Sequence, residues 1–195
     1  MKKILFIHGL ASSGAYKTAD TLRILLKPVE VVAPDVPIDP SEALRLLQDI
    51  CDEQRPDLIV GLSLGGFWAQ FLRGTPRIMI NPDLHPSILL SQKKGEMKYL
   101  SPRRDGAESF MIDDEICEGY RMLETKESEG LGIEEISMVY GMFADSDELV
   151  RCRDEFAIHY PGRDVGYPGT HLPTYPEIKK YLLPLAEELL RNKEI

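Results

Sequence analysis

One serine lies between two glycines in a spacing that is typical of an activated nucleophile. Residues 61–65 read Gly-Leu-Ser-Leu-Gly, so Ser63 is the centre of a G-x-S-x-G sequence. The stretch 57–60 before it is a short β-branched apolar run, and the stretch 67–72 after it is apolar and aromatic, without a helix breaker. A strand, a sharp turn and a helix in this order present the serine hydroxyl above a sheet. We therefore predict that Ser63 is a nucleophile and that Gly61 and Gly65 are needed because a Cβ there would collide with neighbouring backbone.

A nucleophilic serine needs a base to take its proton and a carboxylate to orient that base. Where this turn occurs, the chain order is serine, acid, histidine. Of the four histidines, His171 lies in the predicted loop between the last strand and the closing helix, where the base is expected. His8 precedes the serine in the chain and is expected to brace its own loop. His85 follows the fourth predicted strand, too early in the chain for the base, and His159 falls within a helical pattern. We predict His171 as the base.

The acid is expected after the predicted strand 136–140, where two aspartates stand. Asp147 is favoured because it lies just before an apolar pair that opens the next predicted helix. Asp145 is the alternative, and Asp83, after the preceding strand, is a third candidate. An aspartate that is not the acid is expected to cap a helix.

Negative charge that develops on a carbonyl oxygen needs two backbone N–H donors. The residue after the nucleophile, Leu64, supplies one such donor, and the turn after the first strand supplies the other. We assign the second donor to Leu10, which follows His8-Gly9 at the end of the first apolar run.

Short apolar runs alternate with helical patterns along the chain. The predicted strands are 3–7, 29–33, 58–60, 77–80, 136–140 and 163–167, and the predicted helices are 16–26, 42–54 with Ser41 as N-cap, 64–73, 150–159 and 175–192. This alternation specifies an α/β fold with a mostly parallel, twisted sheet covered by helices on both faces.

The stretch 83–135 breaks the alternation, shows no clear strand run and is acidic from residue 103 onward. We predict a single domain over 1–195 with 83–135 as a lid-like helical insertion, although a solvated helical face also explains its acidic part.

Composition excludes several classes of function. A formal net charge of −9 disfavours binding to nucleic acid or to an anionic membrane surface. No window reaches eighteen apolar residues, so no membrane span is expected. The three cysteines form neither a metal pattern nor a disulfide framework, and we expect a reducing, cytoplasmic setting without a bound metal.

Several motifs occur in an order that resembles a known family. They are Ile7-His8-Gly9-Leu10-Ala11-Ser12-Ser13, Ala33-Pro34-Asp35-Val36-Pro37, Gly61-Leu62-Ser63-Leu64-Gly65-Gly66-Phe67, Ile80-Asn81-Pro82, Asp147-Glu148-Leu149 and Gly169-Thr170-His171. Together they resemble the small bacterial YqiA-like esterases of the α/β-hydrolase superfamily. The resemblance implies an α/β-hydrolase fold, a Ser63-Asp147-His171 triad and no metal or organic cofactor. One position departs from that family, because Ser146 stands where a glycine usually precedes the acid.

The activity implied by the resemblance is hydrolysis of small-molecule carboxylic esters or acyl thioesters. An acyltransferase, a lactonase or a peptidase would use the same triad. A non-catalytic binding module on a hydrolase scaffold is an alternative of another class. A protein interaction through the acidic stretch is a further one.

Overall fold

A six-stranded parallel sheet forms the centre of the molecule. The structure is a computed structural model that describes residues 1–126 and 129–192. In this part of the chain the strands are β1 (Lys3–Ile7), β2 (Glu30–Val32), β3 (Leu58–Leu62), β4 (Arg77–Ile80), β5 (Gly95–Lys98), β6 (Ser109–Ile112), β7 (Val139–Ala144) and β8 (Asp164–Tyr167). The sheet order is β2-β1-β3-β4-β7-β8, and every neighbouring pair is parallel. The predicted parallel sheet is therefore confirmed.

Helices connect these strands. They are α1 (Lys17–Leu25), α2 (Pro40–Gln54), α3 (Leu64–Phe71), α4 (Pro86–Ser91), α5 (Asp114–Glu124), α6 (Ile133–Ser137), α7 (Arg153–His159), α8 (Tyr175–Glu177) and α9 (Leu183–Asn192). A π-helical segment, Ile178–Leu182, joins α8 to α9.

Two apolar clusters bury the two faces of the sheet. Side chains alternate along a strand, so Leu5 and Ile7 of β1 belong to one cluster and Ile4 and Phe6 to the other. The first cluster includes side chains of α2, α3, α5 and α7, and the second includes side chains of α1, the π-helical segment and α9. Full burial of one such side chain contributes about 1.5–3 kcal/mol. The continuous apolar strands therefore stabilise the fold only because helices cover both faces.

The stretch 83–135 is more mixed than the sequence predicts. It contains the helices α4, α5 and α6, and also the antiparallel pair β5–β6. This pair was missed because β5 reads Gly-Glu-Met-Lys, with side chains that are alternately half-buried and exposed, and so presents no apolar run. Residues 127–128 of this stretch, and 193–195 of the predicted domain, lie outside the described residues.

Three elements start two or three residues away from the predicted position. Helix α2 is capped by Asp39, whose carboxylate accepts a hydrogen bond from the Glu42 N–H, and not by Ser41. Strand β7 starts three residues later than predicted, and Ile136 belongs to the short helix α6. Helix α7 starts at Arg153, because the Val150 N–H is bonded to an aspartate in the preceding turn.

Across residues 1–126 and 129–192, no helix has both the length and the apolar character that crossing a membrane requires.

Candidate active site

Ser63 occupies a strained turn between β3 and α3. Its φ of 56° and ψ of −117° lie where residues other than glycine rarely occur. Such strain costs on the order of 1–3 kcal/mol and persists only where the surroundings enforce it. Here the Ser63 N–H donates to the Ile80 carbonyl at 2.9 Å, and the Ser63 carbonyl accepts from the Gly66 N–H at 2.8 Å and the Asp83 N–H at 3.2 Å. The backbone on both sides of the serine is therefore fixed.

The glycines that flank the serine are required by close backbone contacts. A Cβ at Gly61 would lie 2.2 Å from the Gly65 carbonyl oxygen, and a Cβ at Gly65 would lie 2.0 Å from the Ile7 carbonyl oxygen. Both distances are far below van der Waals contact, and backbone atoms of a packed core cannot move aside. The predicted reason for both glycines is confirmed.

We expect Gly65→Ala to destabilise the protein by about 3 kcal/mol or more, since overpacking against backbone is costly. Gly132→Ala is the matched control, because no heavy atom of the described residues, its two chain neighbours aside, lies within 4 Å of its added Cβ. Its expected cost is below about 1 kcal/mol. Urea unfolding of both variants measures the two free energies. Equal losses in the two variants would contradict the packing explanation.

His171 and Asp147 form a buried hydrogen-bonded pair. The His171 Nδ1 lies 2.7 Å from the Asp147 Oδ2, and the two residues are 9% and 5% exposed. The other carboxylate oxygen, Oδ1, accepts from the Leu149 N–H at 2.8 Å and the Val150 N–H at 3.0 Å. A carboxylate only accepts, so in the neutral imidazole Nδ1 carries the proton and Nε2 has the free lone pair. The turn after β7 thus orients the carboxylate, and the carboxylate orients the imidazole.

The other two aspartates are placed differently. Asp145 is exposed. Asp83 is buried, accepts from the His85 N–H at 3.1 Å, and burial raises its pKa above the usual aspartate range. Only Asp147, of these three, has a hydrogen bond to the His171 ring among the described residues.

Ser63 and His171 line the same cavity. Its volume is about 260 Å³, close to the lower end of the range of small-molecule sites. The insertion contributes Leu89, Lys93 and Met97 to its wall. Leu100 of the insertion also lines it, and the rest of the wall is mainly apolar and includes Leu10, Ala11, Tyr16, Leu62, Leu149, Val150 and Leu172.

The two predicted oxyanion donors lie next to the serine. Leu64 follows Ser63 as the first residue of α3, and Leu10 lines the cavity. Among the described residues, neither amide donates to another backbone carbonyl. Gly9 lets the turn that contains Leu10 lie close to the nucleophile, since a Cβ at Gly9 would be 3.8 Å from the Ser63 Oγ.

His8 braces the loop after β1, as predicted. Its Nε2 accepts from the Val36 N–H at 2.9 Å, so its Nδ1 carries the proton and donates to the Gly9 carbonyl at 2.8 Å. Burial lowers the pKa of His8 to about 4. The ring is therefore neutral at neutral pH and joins the loop after β2 to the Leu10 turn.

This burial predicts a pH dependence of stability. Between pH 6.5 and 4 the unfolded chain binds a proton at His8 that the folded chain does not, so the free energy of unfolding falls as the pH falls. The expected contribution is about 3 kcal/mol. In His8→Gln, whose amide oxygen can still accept from the Val36 N–H, the decline between these pH values should be shallower. Urea unfolding across this range measures both slopes, and identical slopes would contradict the assignment.

No three His, Cys, Asp or Glu side chains are grouped to hold a metal ion in the part of the chain that the structure describes.

The parallel sheet, the serine turn and the carboxylate–imidazole pair define the class: the protein has an α/β-hydrolase fold. Est1E from Butyrivibrio proteoclasticus has a TM-score of 0.64 at 15% identity, covering 95% of this chain and 88% of that one. A methylesterase protein from Arabidopsis has a TM-score of 0.56 at 13% identity, covering 100% of both chains. At these identities the likeness shows the fold alone.

The family follows from the sequence comparison. Residues 3–157 match the model of the Uncharacterised protein family (UPF0227), and the chain belongs to that family. A UPF0227 protein of Shewanella sp. strain MR-4 is 29% identical over 101 residues, which are 46% of this chain and 56% of that protein. The chain thus spans about half the length of the curated relatives it matches.

Proposed function

We propose that the protein is a serine esterase that hydrolyses small-molecule carboxylic esters or acyl thioesters. One observation carries this proposal: Ser63 and an imidazole held by Asp147 line one cavity. An exposed serine turn without a base would be unreactive, and a base without a nucleophile would not form an acyl intermediate. The resemblance to YqiA-like esterases supports the same activity.

The proposed reaction has two halves. His171 Nε2 takes the Ser63 proton while Oγ forms a bond to the acyl carbon, and Asp147 stabilises the resulting imidazolium. The bond to the leaving group then breaks, and His171 returns the proton to the departing alcohol or thiol. Water attacks the acyl-serine by the same route, with His171 again as base, and releases the carboxylic acid and free Ser63.

The Leu10 and Leu64 amides are proposed to hold the oxyanion in both halves. The loss of one such donor typically raises the barrier by about 3–4 kcal/mol. Because Leu64 opens α3, the positive end of that helix adds to the stabilisation of the developing charge.

The stretch 83–135 is proposed to act as a lid-like insertion within a single domain. Leu89 in α4, Lys93, Met97 in β5 and Leu100 all line the cavity that contains Ser63. The segment therefore supplies part of the wall that contacts the acyl or leaving group. Its apolar members favour an apolar group on the substrate.

Hydrolysis of p-nitrophenyl esters of graded chain length tests the proposal. We expect saturable release of p-nitrophenol that is abolished by prior treatment with a fluorophosphonate. Free carboxylic acid should be the product even when an alcohol acceptor is added, which separates hydrolysis from acyl transfer. A lack of turnover across the esters and the matching acyl thioesters would overturn the proposal.

A further inference from the structure

Asn81 lies directly after β4, in the Ile80-Asn81-Pro82 motif to which the sequence assigned no role. It is 2% exposed, and its φ of 43° is one that asparagine tolerates better than most residues. Its side chain is not part of the cavity that contains Ser63, as far as the described residues show. Whatever it does for the site, it does through other residues.

The side-chain amide of Asn81 joins three elements of the fold. Its Oδ1 accepts from the Ala144 N–H at the end of β7 at 2.8 Å. Its Nδ2 donates to the Tyr167 hydroxyl at the end of β8 at 2.9 Å and to the His171 carbonyl at 2.7 Å. A backbone N–H can only donate and a carbonyl can only accept, so the orientation of the amide is fixed.

The same strand end also holds the nucleophile. The Ile80 carbonyl accepts the Ser63 N–H at 2.9 Å, one residue before Asn81 bonds the His171 carbonyl. The Tyr167 hydroxyl, which accepts from Asn81, donates in turn to the Thr170 carbonyl at 2.9 Å. Two adjacent residues of one strand end thus fix the backbone of the serine and the backbone of the histidine.

We propose that Asn81 is a positioning residue that sets the place of His171 relative to Ser63. Asp147 fixes the direction of the imidazole ring, whereas Asn81 fixes the backbone that carries it. The catalytic part of this inference rests on the proposed esterase function. The placement of the loop by Asn81 does not, and it is measured separately.

The kinetic test is Asn81→Ala. A misplacement of about 1 Å in a reacting group costs on the order of 100-fold in rate, so we expect kcat to fall by about that factor. KM should stay within about twofold, because Asn81 does not contact the substrate cavity. Tyr167→Phe removes one link and keeps the Asn81 bond to His171, and we expect a kcat loss of about fivefold.

Tyr140→Phe is the matched control for a lost hydrogen bond. It removes the bond from the Tyr140 hydroxyl to Glu188, 2.8 Å long and near the start of β7. Its kcat should equal that of the wild type. A kcat in Asn81→Ala that matches Tyr140→Phe would overturn the positioning role.

Hydrogen–deuterium exchange separates this inference from the enzymatic proposal. In Asn81→Ala the Ala144 amide loses its acceptor, and we expect faster exchange there and at the Ser146 amide, which donates to the Gly169 carbonyl of the His171 loop, with β3 unchanged. Faster exchange in Asn81→Ala, in a protein that shows no esterase activity, would support the placement of the loop by Asn81 and reject the esterase proposal. Unchanged exchange would reject the inference whether or not the protein hydrolyses esters. If Asn81→Ala does not fold, Tyr167→Phe, which loses the bond to the Thr170 carbonyl, is read by kcat and by exchange at the Ser146 amide, because its Ala144 amide keeps the Asn81 acceptor.

Discussion

Ser63→Ala is expected to lower kcat for ester hydrolysis by roughly 10⁴–10⁶-fold. The substitution removes one oxygen atom and with it the bond that forms to the acyl carbon. The residual rate would come from binding and from the oxyanion donors, which act on a water molecule without a covalent intermediate. The measurement is kcat for a p-nitrophenyl ester at saturating concentration.

The variant should keep its fold, because the bonds that hold the turn are made by the Ser63 backbone and not by its hydroxyl. Ser146→Ala is the matched control, since Ser146 is exposed and its N–H still donates to the Gly169 carbonyl. We expect full activity in that control and equal melting temperatures in all three proteins. A wild-type kcat in Ser63→Ala would contradict the proposed mechanism with Ser63 as nucleophile.

Asp147→Asn is expected to lower kcat by about 10⁴-fold while the structure is maintained. The amide oxygen of the asparagine can still accept from the Leu149 and Val150 N–H groups, which leaves its NH₂ facing the His171 Nδ1. An NH₂ only donates, so the ring would place its proton on Nε2. A ring protonated at Nε2 cannot take the serine proton.

Asp145→Asn provides the comparison that decides between the two aspartates. The Asp145 side chain is exposed, and its backbone N–H bonds the Tyr167 carbonyl in both proteins. We expect its kcat to stay within about threefold of the wild type, as for surface substitutions in general. The opposite result, with Asp145→Asn inactive and Asp147→Asn active, would identify Asp145 as the acid that orients His171.

The serine turn was predictable because its constraints are local in sequence. The turn itself sets the spacing between Gly61 and Gly65. A Cβ at either glycine would collide with β1 or α3, and the apolar runs of the sequence predict both of these elements. The alternation of apolar strands and helices likewise predicted the six strands of the sheet and their parallel direction. Both features follow from local sequence patterns, although the contact between Gly65 and Ile7 of β1 joins distant parts of the chain.

Other features depend on contacts that a sequence pattern does not show. Asn81 bonds residues 63 and 90 positions away, in segments that the folded sheet brings together. Strand β7 was misplaced because Gly141 interrupts the apolar run in the sequence. In the structure Gly141 lies inside the strand, where a Cβ would be 2.4 Å from the Phe143 ring. Burial alternates along β5 and β6, but each strand has only four residues and β5 has Met97 as its one apolar side chain, so no strand run is visible in the sequence.

The most direct test is to locate the covalent adduct of a fluorophosphonate by mass spectrometry of the digested protein. We expect one adduct, on the peptide that contains Ser63, with its formation slowed at least a hundredfold in His171→Ala. An adduct on another residue, or labelling of Ser63 at the same rate without His171, would contradict a serine activated by that imidazole.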